Sequence, residues 1–342
     1  MIDVLVVGAG PAGLRAAAEC AIKGLNTLVV ERKKSVGDKP CGAALTPSVT
    51  REYRIKCEGE KLHTLTLQAG DNKTRLNLDQ PVVSVYKKEL DKYLLDKALD
   101  VGARVEFNKT YKANMKSRVL VNASGASNLP RERLALTAQV YIEGAKGDFK
   151  FLYDKRLSSY GYGWVIPKKK GLVAGVGCLL SQMNHPSQIR KNLAWMLGRE
   201  AIEALEYPRI GLVPFMGPIN KTCAGTMLKV GDAAGFASPF SGEGLYYGLK
   251  SASIASDVIS DYLEFGTSLN EYERAWRESF GQILLLNRLA AKVLYGNRFM
   301  LKYLIKKIEG NQKITSLLNK HMSKQEITPI NYVQSIPHIL GV

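Results

Sequence analysis

The chain has 342 residues, with 48 Lys and Arg against 31 Asp and Glu for a formal charge of +17, and is 46% hydrophobic and 8% aromatic. That length and apolar content suit one large domain or two intimately joined ones, and exclude a disordered or fibrous chain. No run nears the ~18 uninterrupted apolar residues of a membrane-spanning helix, and the positive charge comes with no finger, RNP or helix-turn-helix signature, so nucleic acid is not an expected partner.

Met1 runs straight into an apolar strand over residues 2–7, without a basic stretch or cleavage site, so a cytoplasmic protein is expected. Gly8-Ala9-Gly10-Pro11-Ala12-Gly13 then opens a helix reaching about Lys23, and residues 27–30 form a second strand ending at Glu31. Residues 62–68 and 74–78 read as strands, the first by alternation of side chains. Leu90, Leu94, Leu95 and Leu99 form one stripe of a helix over 88–101, and residues 118–122 make a strand ending in Ala123-Ser124-Gly125. Strands follow at 136–143, 149–153, 164–167 and 171–177, then a helix over 186–205. A strand at 227–230 runs into Gly231-Asp232, and a long helix covers 243–263. From about residue 270 to 324 the chain reads as helical, and Pro329 and Pro337 mark an irregular tail.

Gly8, Gly10 and Gly13 gain meaning from their place after a strand and at the start of a helix, with Glu31 at the end of the next strand. Gly8 permits the tight turn, Gly10 lets the backbone approach a pyrophosphate, and Gly13 lets helix and strand pack closely. The helix start at Pro11 and Ala12 would hold that pyrophosphate on free N–H groups, and Glu31 would accept from an adenosine ribose. A second element selects FAD over NAD. Asp232, at the end of a strand, can hold ribityl hydroxyls, and the helix opened by Gly242, Gly244 and Leu245 can face the flavin's O2 side. Gly175-Val176-Gly177 lacks a following helix start, so a separate NAD(P)H domain is not expected.

These elements predict an α/β architecture. A Rossmann-like FAD-binding domain is assembled from 1–45, 87–133 and 207–263, interleaved with an antiparallel β-sheet substrate domain from 46–86 and 134–206. A C-terminal helical region covers 264–342. Cys20, Cys57, Cys178 and Cys223 lack any C-x-x-C spacing and read as small buried hydrophobes, with no metal site. His63, His185, His321 and His338 have no partner spacing. Basic residues from Arg288 to Lys324 interleave with Leu284, Leu285, Leu289, Val293, Phe299, Leu301 and Ile305. Two readings are open for this pattern: helices lying on an anionic membrane surface, or a solvated face of helices packed on the core.

The fingerprint at 8–13, Lys39-Pro40-Cys41-Gly42, Tyr162-Gly163-Trp164-Val165-Ile166-Pro167, the turn at 231–235 and Ser241-Gly242-Glu243-Gly244-Leu245-Tyr246-Tyr247 together resemble the geranylgeranyl reductase family. These are FAD enzymes of the p-hydroxybenzoate-hydroxylase-like flavoprotein fold that saturate isolated double bonds of prenyl chains. The resemblance covers about residues 1–260. It implies a geranylgeranyl lipid or quinone as substrate, for example a digeranylgeranyl glycerophospholipid. The membrane-surface reading of the basic C-terminal helices then makes a peripherally membrane-associated protein the expectation. It adds Arg32, Cys41, Gly42, Ala123 and Gly125 to the expected FAD contacts, and places the loop of Cys41 over the flavin as proton donor or gate.

Tyr162 and Trp164, two apart on a strand, point to one face, where aromatic quadrupoles would stabilise positive charge on an alkene. Tyr162, Tyr246 or a water are further candidate proton donors, and a structural Cys41 and a core aromatic pair stay open. The chain departs from the family in four places. Ile166 stands where the family has Phe, giving a Trp-x-Ile-Pro segment that resembles flavin halogenases. Ser124-Gly125 replaces an Asp-Gly turn, leaving ferredoxin-like or quinol donors beside NAD(P)H. Lys87 or Lys88 replaces an Arg, and residues 102–122 are shorter than in typical members. A flavin monooxygenase or halogenase, and a non-catalytic electron-carrying flavoprotein at the membrane, are the alternative functions.

Overall fold

The computed structural model of the chain describes residues 1–198, 207–309 and 311–323. In chain order the elements begin with β1 (Val4–Val7), α1 (Pro11–Ile22), β2 (Thr27–Val30), β3 (Ala44–Leu45), α2 (Pro47–Glu52), β4 (Glu60–Ala69) and β5 (Asn72–Ser84). There follow α3 (Lys87–Asp100), β6 (Arg104–Glu106), β7 (Val119–Asn122), β8 (Leu134–Glu143), β9 (Lys150–Tyr153), β10 (Gly161–Lys168) and β11 (Gly171–Leu179). The last are α4 (Gln188–Leu197), β12 (Arg209–Pro214), β13 (Cys223–Ala224), β14 (Met227–Lys229), α5 (Leu245–Phe265), α6 (Glu271–Trp276), α7 (Gln282–Gly296), α8 (Arg298–Ile308) and α9 (Gln312–Ser323).

Two compact units result. The first comprises Met1–Asp38, Lys87–Pro130 and Val213–Leu285. Its sheet has the order β13-β14-β7-β1-β2-β6, with β1 parallel to both β2 and β7, and β14 parallel to β7. Val4, Leu5, Val6 and Val29 are completely buried, as expected of parallel strands covered on both faces. Helix α1 packs against α3 and α5. Arg277–Gly281 forms a π-helical turn between α6 and α7, whose Phe280 packs with Phe236 and Trp276.

The second unit comprises Lys39–Tyr86, Arg131–Leu212 and Leu286–Val342. Its sheet runs β12-β8-β11-β10-β9-β4-β5-β3, with β8-β11, β11-β10, β10-β9, β4-β5 and β5-β3 antiparallel and β4 parallel to β9. Helix α4 packs against β8 and β11, and α8 and α9 pack against β5. Ile308 and Ile314 join Leu62, Leu65, Leu76, Phe149 and Ile166 in one apolar cluster. Asn319 Nδ2 secures α9 by donating to Asn77 O at 3.1 Å and Asp79 Oδ1 at 2.9 Å.

The expected strict alternation over 62–68 does not hold. The β4–β5 register shifts between Leu62 and Thr64, a bulge that lets Leu62 and Leu65 enter the same cluster although they are three apart. Strand β5 extends to Ser84, well past residue 78. The helix expected from 243 begins at Leu245, because Gly242 adopts φ +68° and Gly244 caps the helix. Short elements that periodicity does not reveal (β3, α2, β6, β12 and β13) are added by pairing and packing. The end of the helix expected over 186–205, and the tail beyond 323 with Lys324, Pro329, Pro337 and His338, lie outside the described residues.

Candidate functional site

In the first unit the fingerprint loop is fixed by contact. Gly8 has φ +106°, and a Cβ there would lie 2.5 Å from Ala123 O. A Cβ on Gly13 would meet Gly8 O at 2.0 Å, so the α1 start and the β1 end touch backbone to backbone. A Cβ on Gly10 would meet nothing within 4 Å. That open cradle lies at the N-cap of α1, where no side chain caps the helix and Pro11 takes the first turn. The loop therefore offers N–H groups and a helix dipole to an anion.

Glu31 closes the loop from the end of β2. One carboxylate oxygen accepts from Ala9 N at 2.8 Å and the other from Lys33 N at 2.9 Å. Arg32 beside it is exposed. Ala123 N donates to Val7 O, and Asn122 Oδ1 accepts from both Ser124 N and Ser124 Oγ, which shapes the turn entering Gly125.

The second motif meets the first. Gly231 N donates to Ser251 Oγ of α5 at 3.1 Å, and a Cβ on Gly231 would lie 2.8 Å from the Ala12 side chain. Asp232 Oδ1 would be 3.1 Å from a Cβ on Gly244, which sets the carboxylate beside the start of α5 at Leu245. A pyrophosphate cradle, a carboxylate after β2 and a carboxylate between two helix starts fit the donor and acceptor pattern of FAD. Among the expected FAD residues, Cys41 and Gly42 belong to the second unit and the others to the first.

In the second unit Tyr162, Trp164, Ile166 and Lys168 share one face of β10 by alternation. Trp164 pairs with Gly175 across the ladder, and its indole fills the space a Cβ on Gly175 would need, at 2.3 Å. The glycines at 175 and 177 thus give the indole a bed on β11. Its Nε1 is buried and donates to no described group. The Tyr162 ring stands edge-on to the indole at 6.0 Å, and neighbours Phe151 at 5.2 Å and Tyr153 at 5.8 Å. Tyr295 of α7 follows Tyr153 at 6.3 Å, and burial pushes the phenols of both well above their ordinary value. The pair at 162 and 164 is therefore one end of a longer aromatic row.

Cys41 is exposed in the loop before β3, whereas Cys20, Cys178 and Cys223 are buried. Burial pushes the Cys20 thiol up to about 11. Ala43 N points at Cys41 Sγ at 3.4 Å, and Ala43 itself has φ +46°. Gln139 Nε2 of β8 donates to Cys41 O at 3.3 Å, and the Gln139 Cβ flanks the same glycine bed that holds the indole. Cys41, Tyr162 and Trp164 are thereby gathered at one sheet face. Tyr246 lies at the start of α5 in the first unit, edge-on to the buried Tyr247 at 5.4 Å. Sequence reasoning missed Gln139 and Lys168; the period of two from Trp164 through Ile166 was the signal for Lys168.

The C-terminal apolar residues divide between two faces. Leu284, Leu301, Ile305, Ile308 and Ile314 are buried. Leu285, Leu289 and Val293 are 56%, 54% and 53% exposed along α7, and Phe299 is 87% exposed on α8. Arg288, Lys292, Lys302, Lys306 and Lys307 are exposed as well. Among the described residues no helix is long and apolar enough to cross a membrane.

A family model described as "FAD binding domain" matches residues 1–148. The chain is 26% identical to the digeranylgeranylglycerophospholipid reductase of Methanocaldococcus jannaschii, over 85% of this chain and 86% of that protein. It is 27% identical to digeranylgeranylglycerophospholipid reductase 2 of Methanothermobacter thermautotrophicus, over 86% of this chain and 88% of that protein. Among solved structures it resembles a geranylgeranyl bacteriochlorophyll reductase-like protein from Thermoplasma acidophilum, with TM-score 0.77 and 20% identity over 99% of this chain and 96% of that one. It also resembles a flavin-dependent brominase, with TM-score 0.72 and 16% identity over 94% and 93% of the two chains. At those identities the structural matches establish the fold alone, a p-hydroxybenzoate-hydroxylase-like flavoprotein with FAD as its cofactor by the family match.

Proposed function

We propose, for a chain that belongs to the geranylgeranyl reductase family of FAD-dependent oxidoreductases, that it saturates isolated double bonds in the geranylgeranyl chain of a membrane lipid or quinone. The observation that carries this reading is the β10 face, where Trp164 lies on its glycine bed with Tyr162 at 6.0 Å and the Cys41 loop tied to the same sheet. Reduced FAD, when bound, supplies a hydride.

The chain's own residues do the rest. The α1 start and Gly10 hold the pyrophosphate, Glu31 the ribose, and Asp232 the ribityl hydroxyls. An isolated alkene has no carbonyl to polarise, so adding hydride to one carbon calls for a proton at the other. Trp164 and Tyr162 seat the prenyl chain and stabilise positive charge developing on it. The Cys41 thiol holds the proton for the second carbon. Hydride and proton together add two hydrogens per double bond.

A lipid substrate brings the protein to a surface. Arg288 and Lys292 flank the exposed Leu285-Leu289-Val293 stripe of α7, a pattern that suits an anionic bilayer. The buried face of α8 and α9 is used in the protein's own core, so the membrane face is the outer side of α7 with Phe299. Ser124 stands where the family resemblance has an Asp-Gly turn touching a nicotinamide donor, which leaves ferredoxin-like or quinol donors beside NAD(P)H.

The test is anaerobic incubation of the dithionite-reduced protein with a geranylgeranyl lipid, read by lipid mass. A stepwise gain of two hydrogens per bond is expected, and Cys41→Ala should abolish it with FAD still bound. An unchanged lipid beside a normally reducible flavin would overturn the reading in favour of an electron carrier. Oxygen-dependent gain of oxygen or halogen would favour the monooxygenase or halogenase alternative.

A further inference from the structure

Lys168 ends β10 on the face that carries Tyr162 and Trp164, and is only 5% exposed. Its Nζ donates to Gly42 O at 2.6 Å and to Val85 O at 2.7 Å. Desolvating an ammonium is expensive unless it is well hydrogen-bonded, so a buried lysine spent on two carbonyls marks a place where they must be held. Gly42 follows Cys41 directly. Val85 N in turn donates to Ala43 O at 3.0 Å, which makes Val85 the last residue of β5's neighbourhood to grip the loop.

Other contacts converge on the same three residues. Gln139 Nε2 holds Cys41 O, and the Ile166 Cδ1 atom lies 2.5 Å from where a Cβ on Gly42 would sit, so the side of Gly42 is also fixed. Ala43 is held at φ +46°, a conformation that costs a non-glycine residue free energy and persists only under such constraint. Gln139, Ile166 and Lys168 thus anchor residues 41–43 from two strands.

We infer that Lys168 is the positioning residue of the Cys41 loop, fixing the exposed thiol by clamping the carbonyls of Gly42 and Val85, with Gln139 as its second anchor. One charge-assisted bond holds the loop at Gly42 and the other ties the same ammonium to Val85, whose N–H holds Ala43 O. Arginine can reach two carbonyls and keep the charge, whereas methionine matches the length of lysine and offers neither. The inference rests on the proposed role of Cys41 only for its catalytic consequence.

The test measures alkylation of individual cysteines by iodoacetamide in FAD-loaded protein, read by peptide mass, with half-buried Cys57 as internal control. Lys168→Met should speed modification of Cys41 at least 5-fold and leave Cys57 unchanged, and Lys168→Arg should restore the slow rate. In the lipid-saturation assay Lys168→Met should lower kcat about 10-fold or more with KM within about 3-fold, the pattern of a misplaced group and not of lost binding. Unchanged Cys41 labelling, or equal acceleration at Cys41 and Cys57, would overturn the proposal. If Lys168→Met does not load FAD, Gln139→Leu decides on the same readout, with a smaller acceleration confined to Cys41 expected and none overturning it. Wild-type lipid turnover by Cys41→Ala would remove the catalytic role of the thiol while leaving the labelling result intact.

Discussion

Single residues separate cofactor binding from folding in the first unit. Gly10 faces open space and Gly13 faces the Gly8 carbonyl at 2.0 Å, so the same substitution should act differently at each. Gly10→Ala should keep its thermal unfolding midpoint without FAD and lose FAD affinity at least 10-fold, read by flavin titration. Gly13→Ala should destabilise the apoprotein by about 1–3 kcal/mol, because α1 and β1 must separate. Thiol chemistry divides along similar lines. With its thiol raised to about 11 by burial, Cys20 stays protonated and inert at pH 8, and exposed Cys41 should be alkylated first. Glu273 gives a pH signature. Burial raises its carboxyl, but the N–H groups of Cys223 and Thr222 and the Arg277 guanidinium outweigh that and hold it below its usual 4.5. A carboxyl lowered in the folded state contributes stability above its unfolded value and loses it as pH falls through the folded one. The destabilisation by Glu273→Gln in urea unfolding should therefore be full at pH 7 and shrink below about pH 4.5.

At the scale of elements, α7, α8 and α9 show how one amphipathic pattern serves two purposes. Ile305 and Ile308 of α8 are buried against the sheet of the second unit, so Ile305→Ala should cost about 2–5 kcal/mol in urea unfolding. The outer stripe of α7 (Leu285, Leu289 and Val293) is more than half exposed. Leu289→Glu with Val293→Glu should leave the unfolding midpoint within a few degrees and weaken binding to anionic vesicles. Equal losses of stability from the inner and outer changes would mean that the outer stripe is also core. The sequence pattern of α7 and α8 could not divide these faces, since both satisfy a helical period. Strand β4 makes the related point: its alternation was read from residue types, but a bulge at Leu62–Thr64 resets which side faces the cluster.

At the scale of the whole molecule the charge of +17 bears on association. Binding to anionic vesicles should fall steeply between about 0.05 and 0.5 M salt as screening shortens to a few ångströms. Neutral vesicles should bind weakly at every salt concentration, through the apolar stripe alone. The chain crosses between its two units repeatedly, and one crossing falls inside α7 after Leu285. No change in composition marks that point, because a continuous helix carries the chain through it.

The sequence by itself determined the dinucleotide start, the choice of FAD and the resemblance to the geranylgeranyl reductase family. Each is written in local chemistry: a strand, a glycine turn, a helix and an acid at fixed spacing, repeated in a second turn at Asp232. It also placed Tyr162 and Trp164 on one face, since alternation is a property of any strand. Only the tertiary structure decided that the indole rests on Gly175 and Gly177, that α8 and α9 spend their apolar face on the core, and that Lys168 and Gln139 hold the loop of Cys41. The first depends on the register of the β10–β11 pair and the others on residues about 100 or more positions apart meeting, and no local period or propensity carries that information.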